Sequence, residues 1–215
     1  MVRSLMLMFV CLPLAPIFAF QAPAATPVDH EDTIDKILGM VGPATPSHMT
    51  EKERFQLYVV STVGPIPLIG EAAGAGISQW DNSPKEWGQG WNAYGERYGS
   101  NLAYNAIRQT ITYGTSTIFH EDNRYFASNK HGFWKRTGYA VLSSVTARHP
   151  DGRETFSFSG VSGVVGASAI SSIWGPTSWK GIGNIGENAG ISFAATMGLN
   201  VVREFLPDIL HRPHK

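Results

Sequence analysis

Ser83-Pro84-Lys85-Glu86-Trp87-Gly88-Gln89-Gly90 and the charge-poor stretch that follows, residues 91–119, decide the fold class. Serine is a good N-cap, proline suits the first helical position, and Glu86 completes a capping box with Ser83. The pattern predicts a helix opening at Ser83 and running to Phe119, with a break near one of its glycines.

Outward from this helix the punctuation stays helical. Upstream, Thr50 and Glu53 form a second capping box and predict a helix over 50–62. Pro65 and Pro67 end it, and a further helical stretch covers 68–80. Downstream, residues 120–132 read as a polar loop and 133–148 as a helix. His149-Pro150-Asp151-Gly152 reads as a turn. The uncharged run 156–174 predicts another helix. Gly175-Pro176-Thr177-Ser178 interrupts it, and the last helix spans 179–206. A rival reading places a β-hairpin over 141–161 around Pro150-Asp151-Gly152, because residues 155–159 alternate as a half-buried strand does. The helical reading is preferred. The expected fold is mostly α, a compact bundle of about five to six glycine-rich helices over residues 50–212, a size typical of one domain.

The composition excludes several functions. Seventeen basic and seventeen acidic residues leave zero net charge, so nothing draws the chain to nucleic acid. Charged residues are 16% of the chain, against about 25% in an average soluble protein. Low charge with 23 glycines points to close backbone packing or a membrane setting, although the mean hydropathy is slightly negative, −0.09.

The N-terminus has the layout of a secretory signal peptide. Arg3 gives a positive start, residues 4–20 are uncharged and apolar, and small residues follow at Ala19, Ala22, Ala24 and Ala25. The expected organisation is a signal peptide over 1–19 and a flexible linker over 20–49, with one short helical turn near 33–40. The only cysteine, Cys11, lies inside the signal and follows Val10 rather than a small residue, which argues against a lipoprotein cleavage site. The exported chain then has no disulfide and no thiol chemistry.

Small residues recur every four positions: Gly186, Gly190, Ala194 and Gly198; Gly95, Gly99 and Ala103; Gly163, Ala167 and Ser171. Each set forms a smooth stripe on one helix face, where a second helix, or a second copy of the chain, can approach closely. Trp80, Trp87, Trp91, Trp134, Trp174 and Trp179 fall at segment ends, a placement that suits a membrane interface or the rim of a soluble core. Glu71, Arg108 and Glu187 fall mid-segment. In lipid such charges must meet inside the bundle.

Motifs for chemistry are sparse. Gly181-Ile182-Gly183-Asn184-Ile185-Gly186 matches the dinucleotide fingerprint alone, without a strand before it. Gly160-Val161-Ser162-Gly163 falls short of a nucleophile elbow. No cofactor or metal is expected, since His131 and His149 stand at no specified ligand spacing from His120. The richest segment is His120-Glu121-Asp122-Asn123-Arg124-Tyr125. A hydrolytic reading takes His120 as base, Asp122 as its orienting carboxylate, Arg124 as an anion clamp, and Tyr125 as a fourth member of the site. The plainer reading has His120 at a helix C-terminus and Asp122 paired with Arg124 to brace the turn. Lys130, Lys135, Arg136, Arg148 and Arg153 form a loose basic set near the fourth helix.

The segments 83–90, 120–125 and Arg203-Glu204-Phe205-Leu206-Pro207-Asp208-Ile209 resemble those of a group of uncharacterised bacterial secreted proteins carrying HEDxRY and REFxPDI motifs. The resemblance covers most of 50–210 and implies a bacterial cell-envelope location. It implies no activity and no catalytic residue. The expected function is that of a non-enzymatic, membrane-associated structural or interaction protein, exported to the periplasm or to the inner or outer membrane. Its partners would be membrane lipid or other envelope proteins. The alternative is a small envelope hydrolase or lipid-acting enzyme centred on residues 120–125.

Overall fold

The computed structural model describes residues 42–44 and 49–210. The expected signal peptide over 1–19, most of the expected linker and the expected turn near 33–40 lie outside the described residues. The described chain is mostly helical, as expected: α1 (Glu51–Val63), α2 (Pro65–Trp80), α3 (Trp91–Phe119), α4 (Phe133–Leu142), α5 (Phe158–Ser171) and α6 (Ile182–Leu210). Two short strands, β1 (Thr146–Arg148) and β2 (Glu154–Phe156), pair antiparallel between α4 and α5.

The Thr50 capping box forms. Thr50 Oγ1 accepts from the Glu53 N–H at 3.3 Å, and the Glu53 carboxylate accepts from the Thr50 N–H at 2.8 Å. The expected proline break is one residue wide. Pro65 opens α2, where its missing N–H is harmless, and Gly64 makes the corner. A Cβ on Gly64 would collide with the Val60 carbonyl oxygen.

The helix start at Ser83 is not realised. Residues 85–87 form only a 3-10 turn, and α3 begins at Trp91. Gly88 and Gly90, with φ of 67° and 104°, occupy backbone conformations that favour glycine and interrupt the helix there. The competing interaction is Arg97. Its fully buried guanidinium donates to the carbonyls of Ser83 at 2.8 Å, Pro84 at 3.1 Å and Gly88 at 3.0 Å, and to Gln79 Oε1 at 2.5 Å. Those carbonyls turn inward to the cation instead of along a helix axis. From Trp91 onward α3 is continuous for 29 residues.

The helix expected over 133–148 stops at Leu142, and the rival hairpin takes the remainder, with Ala147 opposite Thr155. Tertiary bonds favour the strand. Arg148 and Asp122 exchange both backbone hydrogen bonds, at 2.8 and 3.0 Å, and Ser157 N–H donates to Val145 O at 2.9 Å. The last helix starts at Ile182, behind Gly181 at φ 100°, and continues through Pro207 to Leu210.

The long helices form an antiparallel bundle. Tyr58 hydroxyl meets Thr110 Oγ1 at 3.1 Å, and Asn101 donates to Glu71 O at 3.2 Å, so α1 and α2 run against α3. On the other side α5 runs against α3, with Tyr104 near Ser168 and Trp174 near Ser100. Tyr104 also reaches Ser192 on α6 at 2.7 Å. The stripe at Gly163 and Ala167 makes this contact. A Cβ on Gly163 would lie 3.0 Å from Arg108 O and overlap Thr112, and Ala167 is fully buried. Among the described residues the glycines of the other two stripes have no such partner. A Cβ on Gly95, Gly99, Gly186, Gly190 or Gly198 would meet nothing within 4 Å.

Polarity is distributed against the usual rule. The largest fully buried side chains are Arg97, Glu121 and Glu204, followed by four serines. Large apolar side chains lie outside: Phe55, Val63, Ile69 and Ile77 on α1 and α2, Ile173 after α5, and Ile191 and Val202 on α6. Gly163→Ala should therefore destabilise the fold by about 1–3 kcal/mol through overpacking. Gly186→Ala, on an open face, should be neutral or gain up to about 1 kcal/mol of helix propensity. Thermal unfolding of the two variants side by side measures the contrast, and equal effects would contradict the close α3–α5 approach.

Candidate functional site

The polar loop after α3 carries most of the unusual chemistry, and two buried carboxylates organise it. Glu121 sits at the N-terminus of α5. Its Oε1 accepts from Phe158 N–H at 3.0 Å; its Oε2 accepts from Ser159 N–H at 2.8 Å and from the Ser159 hydroxyl. Helix N-termini hold unpaired N–H groups and partial positive charge, so a carboxylate is stabilised there. Asn123 completes the cap. Its amide donates to Ser159 Oγ at 2.6 Å, and its carbonyl accepts from Ser157 Oγ at 2.5 Å. Ser157 Oγ in turn accepts from Gly160 N–H at 2.9 Å. Arg54 on α1 donates to the Glu121 carbonyl at 2.6 Å and to Ser116 Oγ at 3.2 Å. One acidic residue thus ties α1, α3 and α5 together.

Glu204 performs the same task for α4 and α6. Its carboxylate accepts from Tyr125 hydroxyl at 2.6 Å, Ser128 N–H at 3.0 Å, Ser128 Oγ at 2.5 Å and Arg136 Nε at 2.8 Å. Arg136 also reaches Asp208 at 2.5 Å and Glu204 O at 2.6 Å, and its guanidinium stacks on Phe205, 4.5 Å from the ring centroid. The segments that resemble HEDxRY and REFxPDI motifs therefore meet directly, through Tyr125 and Glu204.

The four residues singled out for catalysis do not assemble into a catalytic arrangement. His120 is exposed, in a left-handed backbone conformation (φ 54°) that ends α3. Among the described residues no hydrogen bond joins it to Asp122. The Asp122 carboxylate instead receives Arg124 Nε at 3.0 and 3.1 Å, Arg124 Nη2 at 2.7 Å and the Arg124 N–H at 3.0 Å. Arg124 and Arg148 both lie over the Phe126 ring, at 5.5 and 4.1 Å. Tyr125 points away from this group into the Glu204 cluster. Burial, and then the adjacent Glu204 carboxylate, push its phenol well above the ordinary tyrosine value, so it stays protonated and acts as a donor. A small cleft lies between Asp122, Arg124, Tyr139, Arg148 and Glu154. Its charged groups are paired with each other, Arg148 with Glu154 at 2.8 Å. The Tyr139 phenol there is pushed up to about 12 by burial and by its bond to Glu154.

Other sequence signals resolve differently. Residues 181–186 open α6 after a 3-10 turn, with no strand before them, so the dinucleotide fingerprint lacks its context. Among the described residues no group of three or more His, Cys, Asp or Glu side chains could hold a metal ion. Among the described residues Glu71, Arg108 and Glu187 form no ion pair with one another, although the Arg108 charge acts on the Glu71 carboxyl. Glu187 is exposed on α6. Among the described residues the buried charged side chains are Arg54, Arg97, Glu121 and Glu204, none of them in the set expected for catalysis. Glu121 and Glu204 lie inside the quoted motifs, next to more conspicuous neighbours, whereas Arg54 and Arg97 lie outside them.

Glu204→Ala should destabilise the fold by about 2–4 kcal/mol, because the Tyr125 hydroxyl, Ser128 and Arg136 Nε lose their common acceptor, while Asp208 still pairs with Arg136. Denaturant unfolding reads this directly, and a loss under about 1 kcal/mol would show the cluster to be incidental. His120→Gly should instead stabilise by about 1 kcal/mol, since glycine adopts the left-handed conformation without strain. The same unfolding measurement checks it.

No family model matches this sequence, and neither the curated proteins nor the solved structures include one significantly similar to it.

Proposed function

We propose that this chain is a non-enzymatic, membrane-associated structural or interaction protein of the bacterial cell envelope, exported by residues 1–19, with the sides of its bundle in lipid. The observation that carries this reading is the inverted polarity. Among the described residues the largest fully buried side chains are arginine, glutamate and serine, while many isoleucine, valine, phenylalanine and tryptophan side chains are exposed. In water such a surface is a large unpartnered apolar patch. In lipid it is an ordinary exterior.

Three further features support it. Interhelical bonds run between small polar groups, such as Asn105 to Ser61 O at 3.0 Å and Trp174 to Ser100 Oγ at 3.0 Å, as in helix bundles within bilayers. Trp80, Trp87, Trp91, Trp174 and Trp179 gather where α3 begins, with Trp87 and Trp179 rings 5.2 Å apart. Trp134 stands on α4, near the other end. Tryptophan at both ends of an apolar bundle matches the two interfaces of a bilayer. Among the described residues, Glu51–Trp80 is the one helix long and apolar enough to cross a membrane, 30 residues bent at Gly64. Part of the polarity of α3 and α6 faces inward, at Arg97, Ser100, Asn105, Ser116, Asn200 and Glu204, while Glu96 and Glu187 are exposed.

The hydrolase alternative draws no support from the site, where Asp122 pairs with Arg124 and Tyr125 donates to Glu204. Cell fractionation with alkaline carbonate washing tests the main reading. The chain is expected to stay in the washed membrane pellet and to be released by detergent. Recovery as a soluble periplasmic form would overturn it.

A further inference from the structure

Five basic residues surround α4, and the fold neutralises three of them: Arg136 by Glu204 and Asp208, Arg148 by Glu154, and Arg153 by Asp151. Two lysines remain. Lys135 makes no hydrogen bond or ion pair among the described residues. Lys130 has only the face of Tyr139, with Nζ 5.1 Å from the ring centroid. Between them in sequence stand Phe133 and Trp134, whose rings meet edge to face at 5.1 Å. Phe133 is held on α6 by stacking against Phe205 at 5.2 Å. Trp134 projects outward, 81% exposed. An exposed indole braced from behind and flanked by two uncompensated ammonium groups is an unusual surface for water. It has the form of an interfacial anchor, in which the ring lies at headgroup depth and the lysines extend to phosphate.

We propose that the first turn of α4, with Lys130, is a docking site for anionic phospholipid headgroups. Lys130 and Lys135 contact the phosphates, and Trp134 and Phe133 seat below them. The charge complementarity selects this occupant, because the neighbouring acidic groups Asp208, Glu204 and Glu154 are already spent on arginines. The inference rests on the membrane reading above and adds to it a lipid preference and a location.

The test uses the full chain reconstituted into phosphatidylcholine vesicles. These contain a fixed small fraction of either phosphatidylglycerol or phosphatidylcholine brominated near the headgroup. Quenching of Trp134 is read as the difference between the natural chain and Trp134→Phe. Brominated phosphatidylglycerol should quench Trp134 more than brominated phosphatidylcholine at equal fraction. A lysine near an anionic surface gives about a fivefold preference at low salt, so the excess should fall by about that factor in Lys135→Gln. It should vanish in Lys130→Gln/Lys135→Gln and persist in the matching arginine variants. Equal quenching by the two lipids overturns the docking site and leaves the membrane reading intact. So does an excess unchanged in the glutamine double variant. Quenching of no tryptophan by either lipid, with the chain failing to float with the vesicles, overturns both.

Discussion

The carboxylate of Glu121 is the constraint on which the rest of the bundle depends. A charge withdrawn from water carries a penalty of several kcal/mol unless donors replace its hydration. Here the first N–H groups of α5 and the Ser159 hydroxyl replace it, and those N–H groups themselves lack partners within their own helix. Each side supplies what the other lacks, so α5 begins at Phe158 and begins beside the end of α3. Once it is anchored there, Gly163 and Gly166 fall opposite Thr112 and Ile111, and the two backbones close together. Arg54 brings α1 to the same point through the Glu121 carbonyl. Glu204 repeats the device for α4 and α6.

Arg97 solves the opposite problem by a different route. Among the described residues no carboxylate reaches its guanidinium, and its charge is spread over backbone carbonyl dipoles and one glutamine oxygen. The planar fork of arginine suits this arrangement, since five N–H groups can address several acceptors at once. Interior polarity of this kind fixes geometry more than it adds stability. The small side chains around it, Ala75, Ala93, Ala140 and Ala167, allow close approach but bury little area. On the proposed reading, close packing and hydrogen bonds hold the helices together where lipid supplies no hydrophobic force between them.

Much of the helical layout was legible because its signals are local. The Thr50 box involves four consecutive residues, and the loop after Phe119 announces itself by charge and polarity. The misreadings arose where a distant residue overrode a local pattern. Ser83-Pro84-Lys85-Glu86 has every mark of a helix start, yet Arg97, further along the next helix, claims the Ser83 and Pro84 carbonyls. Residues 143–148 follow a helical segment, yet Asp122 offers them a backbone ladder instead. The same logic governs the candidate site. His120 and Asp122 attracted attention as familiar reactive types, but burial decides which acid matters, and no periodicity marked Glu121 or Glu204 as buried. The stripes at residues 95–103 and 186–198 are real in the sequence, and their open faces could not be told from the packed one at Gly163.

The spacing of the two carboxylate clusters along the chain has a consequence for the order of assembly. Glu121 closes on residues 36 to 38 positions downstream, whereas Glu204 closes on partners 68 to 79 positions upstream. Shorter loops lose less entropy on closure. The α3–α5 pair can therefore form as a unit while α6 is still undocked, with Tyr125, Ser128 and Arg136 left as an open socket. The contacts of Glu204 thus close a loop about twice as long as those of Glu121, a difference of about 0.6 kcal/mol in closure cost, and they tie the last helix to the middle of the chain.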